Sequence, residues 1–194
     1  MQCPDAITAI TSVVAELERL RVPYYVGGSI ASSAYGFSRA TIDADLIADL
    51  GPDHVVPLVG ALEPVYYVSA SAIAEAISRK SCFNLIHLPT SFKVDVFAVK
   101  NRPYDRAAIR RIRKDSLAEE LPSVEFFLAS PEDVVLSKLE WFRLGEEVAE
   151  QQWRDVIGVL KVQANSLDRE YLANWAAELE IADLLEKAWR ETQI

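Results

Sequence analysis

A chain of 194 residues with 51% apolar side chains is long enough to bury a core of its own, and its formal charge of −9 excludes a protein that grips duplex DNA by general attraction to phosphates. Two cysteines, Cys3 and Cys82, are too few for a disulfide framework or a cysteine metal knuckle. The sequence shows no secretion signal and no run of roughly eighteen apolar residues able to span a bilayer, so a cytoplasmic protein with no membrane partner is expected.

Residues 5–20 place Ile7, Ile10, Val14, Leu17 and Leu20 at helical spacing and predict an amphipathic helix. A strand over 23–27 follows, then Gly27-Gly28-Ser29, a short helix ending near Gly36, and a strand over 41–48. Alternation along that second strand puts Thr41, Asp43 and Asp45 on one face and Ile42, Ala44 and Leu46 on the other. Two aspartates about 7 Å apart on one face repel each other and suit a strand poorly, so a compensating cation is expected there. The glycines allow a sharp bend and close approach of a ligand, and Ser29 is positioned to cap the helix where an anion is favoured. Separately, a glycine turn and an Asp-Ala-Asp strand are both commonplace; within one strand–turn–helix–strand unit they form a phosphate cradle beside paired carboxylates.

Gly51-Pro52-Asp53 opens another turn and helix, a strand is expected at 65–68 and an alanine-rich helix over 69–78. Residues 83–88 and 91–99 read as a hairpin around Pro89-Thr90, with Asp95 in the middle of an apolar strand. A carboxylate there is costly to bury unless paired or bound to a metal; the alternative is that Asp95 and Lys93 face water on a half-exposed strand. Residues 102–121 carry no motif but hold Arg102, Arg106, Arg110, Arg111, Arg113 and Lys114, either a rim for an RNA end or a solvated face balanced by Glu119, Glu120 and Glu125. A strand over 124–128 precedes four helices over 131–145, 149–163, 168–179 and 181–192, the first capped by Ser130 with Pro131 in its first turn. The four tryptophans all lie in that helical half and read as packing residues, while His54 and His87 have no neighbour at ligand spacing. The pattern predicts an α+β protein, a mixed β-sheet flanked by helices and followed by a C-terminal helical bundle, divided as 1–129 and 130–194.

Gly27-Gly28-Ser29 followed by Arg39-x-Thr41-x-Asp43-x-Asp45-Leu46 resembles the signature of the polymerase-β-type nucleotidyltransferase superfamily, and most closely its AbiEii-type toxin branch with its many uncharacterised bacterial relatives. The resemblance covers roughly residues 20 to 165 as ordered motifs. It implies a third acid on a later strand, which matches Asp95, and a Ser-Pro-Glu-Asp helix whose lysine and a following Arg-Asp matches Lys138 and Asp155. Ala44 replaces the larger apolar residue of many relatives, and the motif-free 102–121 leaves the acceptor side undetermined.

By this resemblance Asp43, Asp45 and Asp95 hold one or two Mg²⁺ (or Mn²⁺) ions, with Asp95 also serving as base, and an NTP is the co-substrate. Gly27, Gly28, Ser29, Arg39 and Thr41 line the nucleotide, and Lys138 and Asp155 complete the site. The implied activity is transfer of an NMP to a hydroxyl of RNA, protein or a small molecule, with a cognate antitoxin as a further implied partner. The alternatives are a non-catalytic nucleotide- or protein-binding module of the same fold, and a structural α+β protein in which Lys138 is a solvated helix residue and Arg154-Asp155 a surface pair.

Overall fold

The first element illustrates how the chain builds its core. In this computed structural model, which describes residues 4–116 and 125–193, helix α1 (Pro4–Arg19) buries Ile7, Ile10, Val13, Val14 and Leu17 along one stripe. The stripe lies against strands β2 (Asp43–Ala48) and β5 (Phe92–Ala98). These two strands pair in parallel, and their inward residues Ala44, Leu46, Val94 and Val96 are almost fully buried. Helices α3 (Val55–Leu62) and α4 (Ala70–Arg79) extend the layer that α1 begins.

Among the described residues the sheet has seven strands in the order β3-β4-β5-β2-β1-β7-β6. The others are β1 (Tyr24–Val26), β3 (Tyr66–Tyr67), β4 (Cys82–His87), β6 (Arg113–Ser116) and β7 (Glu125–Leu128). β2 with β5 and β1 with β7 run parallel while the remaining pairs are antiparallel, so the sheet is mixed, as the sequence predicts. Four helices close the chain: α6 (Pro131–Leu144), α7 (Glu150–Gln163), α8 (Arg169–Glu178) and α9 (Ala182–Thr192). The first two pack on α2 (Gly28–Tyr35). The cap at Ser130 forms as expected, its hydroxyl accepting from the Asp133 N–H at 3.1 Å.

Several details differ from the expectations. Helix α2 begins two residues earlier than a Ser29 cap requires: Gly27 is its N-cap, and no side chain closes its first turn. Strand β2 starts at Asp43, so Ile42 precedes the pleat and stands 87% exposed instead of packing beside Ala44. The motif-free stretch contains helix α5 (Pro103–Ala108) and the edge strand β6. Most of its basic side chains are spent on internal acids. Arg102 binds Asp105 and Glu140, Arg111 and Arg113 both reach Glu132, and Lys114 pairs with Glu125 at 2.5 Å. Cys3, Glu119, Glu120 and the start of the expected strand at 124 lie outside the described residues.

Gly36 ends α2 against the backbone of α7. A Cβ there would stand 2.8 Å from the Val159 nitrogen and 2.9 Å from the Gly158 carbonyl carbon, and backbone cannot swing aside as a side-chain tip can. Gly36→Ala is expected to destabilise the fold by about 2 kcal/mol through overpacking, read as a lower urea midpoint; an unchanged midpoint would show that this contact is loose.

Candidate active site

The register of β2 and β5 brings three carboxylates to one patch. Asp45 stands opposite Asp95 and Asp43 opposite Lys93, all on the face away from the α1 layer. In a parallel pair, directly opposed residues on one face are near neighbours, so like charges there repel. The effect is visible in Asp45: burial first, then the charges of Asp43 and Asp95, push its carboxyl up to about 6, against the opposing pull of Lys138 and Lys93. The other two acids have partners. Lys93 Nζ lies 2.7 Å from Asp95 and 3.8 Å from Asp43. The Asn84 amide donates to the second oxygen of Asp95, and the Thr41 hydroxyl, 3.2 Å from Asp43 Oδ1, donates to that carboxylate or to the Asp43 carbonyl.

Hard oxygen donors of this kind suit Mg²⁺ or Mn²⁺, and the two like charges beside Asp45 are only partly offset by Lys138 and Lys93. By donor chemistry Asp43, Asp45 and Asp95 therefore fit a divalent cation. Among the described residues, however, no three acidic, histidine or cysteine side chains close on a single point. A lysine ammonium sits between two of the acids instead.

The glycine turn lies directly on Asp45. Gly27 donates its N–H to the Asp45 carbonyl at 2.9 Å. Gly28 takes φ +52°, and a Cβ on it would fall 1.7 Å from Asp45 Oδ2. Only glycine combines that left-handed backbone with that approach. Because no side chain caps α2, its first-turn N–H groups face the same space, an arrangement suited to an anion.

A second cluster borders the first. Arg39 places Nε 3.1 Å from Asp155 Oδ1 and Nη2 3.0 Å from Oδ2, and the same Nη2 donates to the Ser29 hydroxyl. Lys138, only 3% exposed, approaches Asp155 Oδ2 to 2.8 Å and donates to the Gln152 side chain at 2.9 Å. Gln151 adds a further donor to Asp155. Burial alone would raise the Asp155 carboxyl, but hydrogen bonds and charge from Arg39 and Lys138 outweigh it and hold the group below its ordinary range. Burial lowers the Lys138 ammonium despite that partner. Asp155 is thus an anchor for two cations, with its oxygens taken up by protein donors.

Helix α6 carries Lys138 within electrostatic reach of Asp45 and, one turn later, Trp141, whose ring meets Phe97 edge-on at 6.0 Å. Phe97 follows Asp95 by two residues on the acid face. The structure therefore gathers Gly27, Gly28, Ser29, Arg39, Thr41, Asp43, Asp45, Asp95, Lys138 and Asp155 around one end of β2 and β5. Asn84, Gln151 and Gln152, which sequence reasoning did not single out, hold these residues in place. Asn84 was within reach of the hairpin register; the two glutamines, anchored from a helix far along the chain, left no signal.

The folded-state pKa of Asp45 lies above the ordinary carboxylate value near 4. The folded chain therefore binds that proton more tightly than the unfolded one, and its stability rises as pH falls from above 6 toward 4. Asp45→Asn is expected to melt higher than wild type at pH 8 without divalent cations, with the gap closing near pH 4.5. A gap that stays constant between those pH values would contradict the repulsion.

No protein-family model and no curated protein matches the chain. Solved structures do. An antigenic nucleotidyltransferase-like protein from Paracoccidioides brasiliensis aligns with a TM-score of 0.56 at 17% identity, over 96% of this chain and 93% of that one. The antibiotic-resistance factor ANT(2'')-Ia aligns with a TM-score of 0.54 at 13% identity, over 96% and 94% of the two chains. At these identities the likeness is one of fold: the α+β architecture is nucleotidyltransferase-like.

Proposed function

We propose that the chain is a metal-dependent nucleotidyltransferase that moves an NMP from an NTP to a hydroxyl of a small, cationic, hydroxyl-rich molecule. The observation that carries this is the Asp43–Asp45–Asp95 patch lying directly under the positive-φ turn at Gly28. A phosphate-binding turn and undercompensated carboxylates, in contact, are what an NTP bearing a divalent cation would neutralise together.

Asp43 and Asp45 would hold the cation, with Asp95 beside them; when bound it would offset charge on the phosphates and on the attacking and leaving oxygens. Backbone N–H groups of Gly28 and Ser29 would receive the terminal phosphates, while the Gly27 N–H, held by the Asp45 carbonyl, fixes the turn. Arg39, fixed by Asp155 and Ser29, and the buried Lys138 supply positive charge on the pyrophosphate side. The acceptor oxygen attacks the α-phosphorus, the bond from that phosphorus to the bridging oxygen breaks, pyrophosphate leaves, and the hydroxyl proton passes to Asp95.

The acceptor class follows from charge. The AbiEii-type resemblance implies an RNA acceptor and a cognate antitoxin, and RNA would need a free basic rim. Arg102, Arg111, Arg113 and Lys114 are instead paired with acids of this chain, whose net charge is −9. The half-exposed Trp141 beside Phe97 adds an aromatic wall next to the acids, suited to the apolar face of a sugar ring. The fold shared with an antibiotic-resistance factor supports the same choice.

The test is incubation with Mg²⁺, each labelled NTP, and separately an aminoglycoside panel or total RNA. Label is expected on the aminoglycosides, and label only on RNA would contradict the acceptor class. Asp43→Ala should lower transfer on the order of 10³-fold with an unchanged circular dichroism spectrum; nucleotide binding without transfer in the wild type would favour the non-catalytic module.

A further inference from the structure

Lys93 is the unexpected member of the acid patch. It shares a strand face with Asp95 and stands opposite Asp43, so the register alone makes a four-cornered group of three anions and one cation. Although its side chain is 44% exposed and free to extend into water, it folds back to 2.7 Å from Asp95 and 3.8 Å from Asp43. The remaining Asp95 oxygen accepts from Asn84. Asp95 is consequently charge-balanced by the protein itself, while Asp45, flanked by the glycine turn, has no ion-pair partner within 4.0 Å among the described residues.

We propose that the Lys93 ammonium serves as the second positive charge of this centre, so that with nucleotide bound it takes one divalent cation, on the Asp43–Asp45 side, and not two. This rests on the nucleotidyl-transfer reading and sharpens it. A second divalent ion bridging Asp95 and Asp43 would need the volume that the ammonium holds, and two cations at such a separation repel strongly in a partly buried site. The lysine therefore determines metal stoichiometry; it positions Asp95 and leaves that carboxylate free of a permanent metal bond.

Counting bound Mn²⁺ by electron paramagnetic resonance, on the full chain with and without a non-hydrolysable ATP analogue, tests this in wild type, Lys93→Arg and Lys93→Met. With the analogue, wild type and Lys93→Arg should bind one ion, while Lys93→Met should bind two, the second at least tenfold more tightly than any second ion on wild type. Lys93→Met should lower the urea midpoint without metal, because Asp95 loses its ion pair, while both variants keep the wild-type circular dichroism spectrum. Two ions on wild type, or a single ion on folded Lys93→Met, would overturn the inference. If the ions count as expected but no labelled NMP reaches any acceptor, the inference stands and only the transfer reading fails; wild type that takes up no ion with nucleotide overturns the inference. If no protein binds Mn²⁺, both fail together.

Discussion

Like charge confined to one face of two adjacent strands is the constraint around which the rest of this molecule is arranged. Sheets dislike opposed carboxylates, yet β2 and β5 pair with Asp45 facing Asp95, and the apolar face of the same strands is among the best buried surface in the chain. The stability of that inner face, held by α1, α3 and α4, is what allows the outer one to carry unfavourable charge. Each neighbouring element then meets the acids with something suited to them: Lys93 and Asn84 from within the sheet, backbone N–H groups from the turn at Gly28, and Lys138 from α6.

The role of the C-terminal helices follows from the same electrostatics. Arg39 precedes β2 and Lys138 sits a hundred residues later on α6, yet both converge on the Asp155 carboxylate from α7. A buried lysine is unfavourable by itself, and its removal from water is tolerable only because Asp155 meets it. Asp155 in this way converts two flexible cations into a fixed positive wall beside the N-terminus of α2. Gly36, at the end of α2, lies close against the backbone of α7, the helix that carries Asp155.

Much of this was legible in the chain because period and spacing carry it. Alternation around Asp43 and Asp45, the glycine pair, the Ser130-Pro131 cap and the stripe of α1 each reflect a local rule, and each element formed close to where those rules place it. Ser29 misled because a serine after two glycines satisfies the composition of a cap, while the sharp turn at Gly28 shifts the helix start to exclude it. Ile42 misled because alternation was extended two residues beyond the actual strand. Helix α5 and strand β6 were hidden by a charge-rich stretch whose basic groups pair with acids from distant segments, Glu132 and Glu140 among them, and no local pattern records such partners. Lys93 was visible by parity with Asp95, but its inward fold depends on Asp43 from another strand.

Asp43 and Asp45 are the groups proposed to take a cation delivered with a triphosphate under the Gly27–Gly28 turn. Anomalous diffraction from a crystal grown with Mn²⁺ and a non-hydrolysable NTP addresses this directly. The account predicts a manganese peak within bonding distance of both aspartates and the terminal phosphates on the first-turn N–H groups of α2. A nucleotide bound elsewhere, or a peak that leaves these two carboxylates untouched, would contradict it.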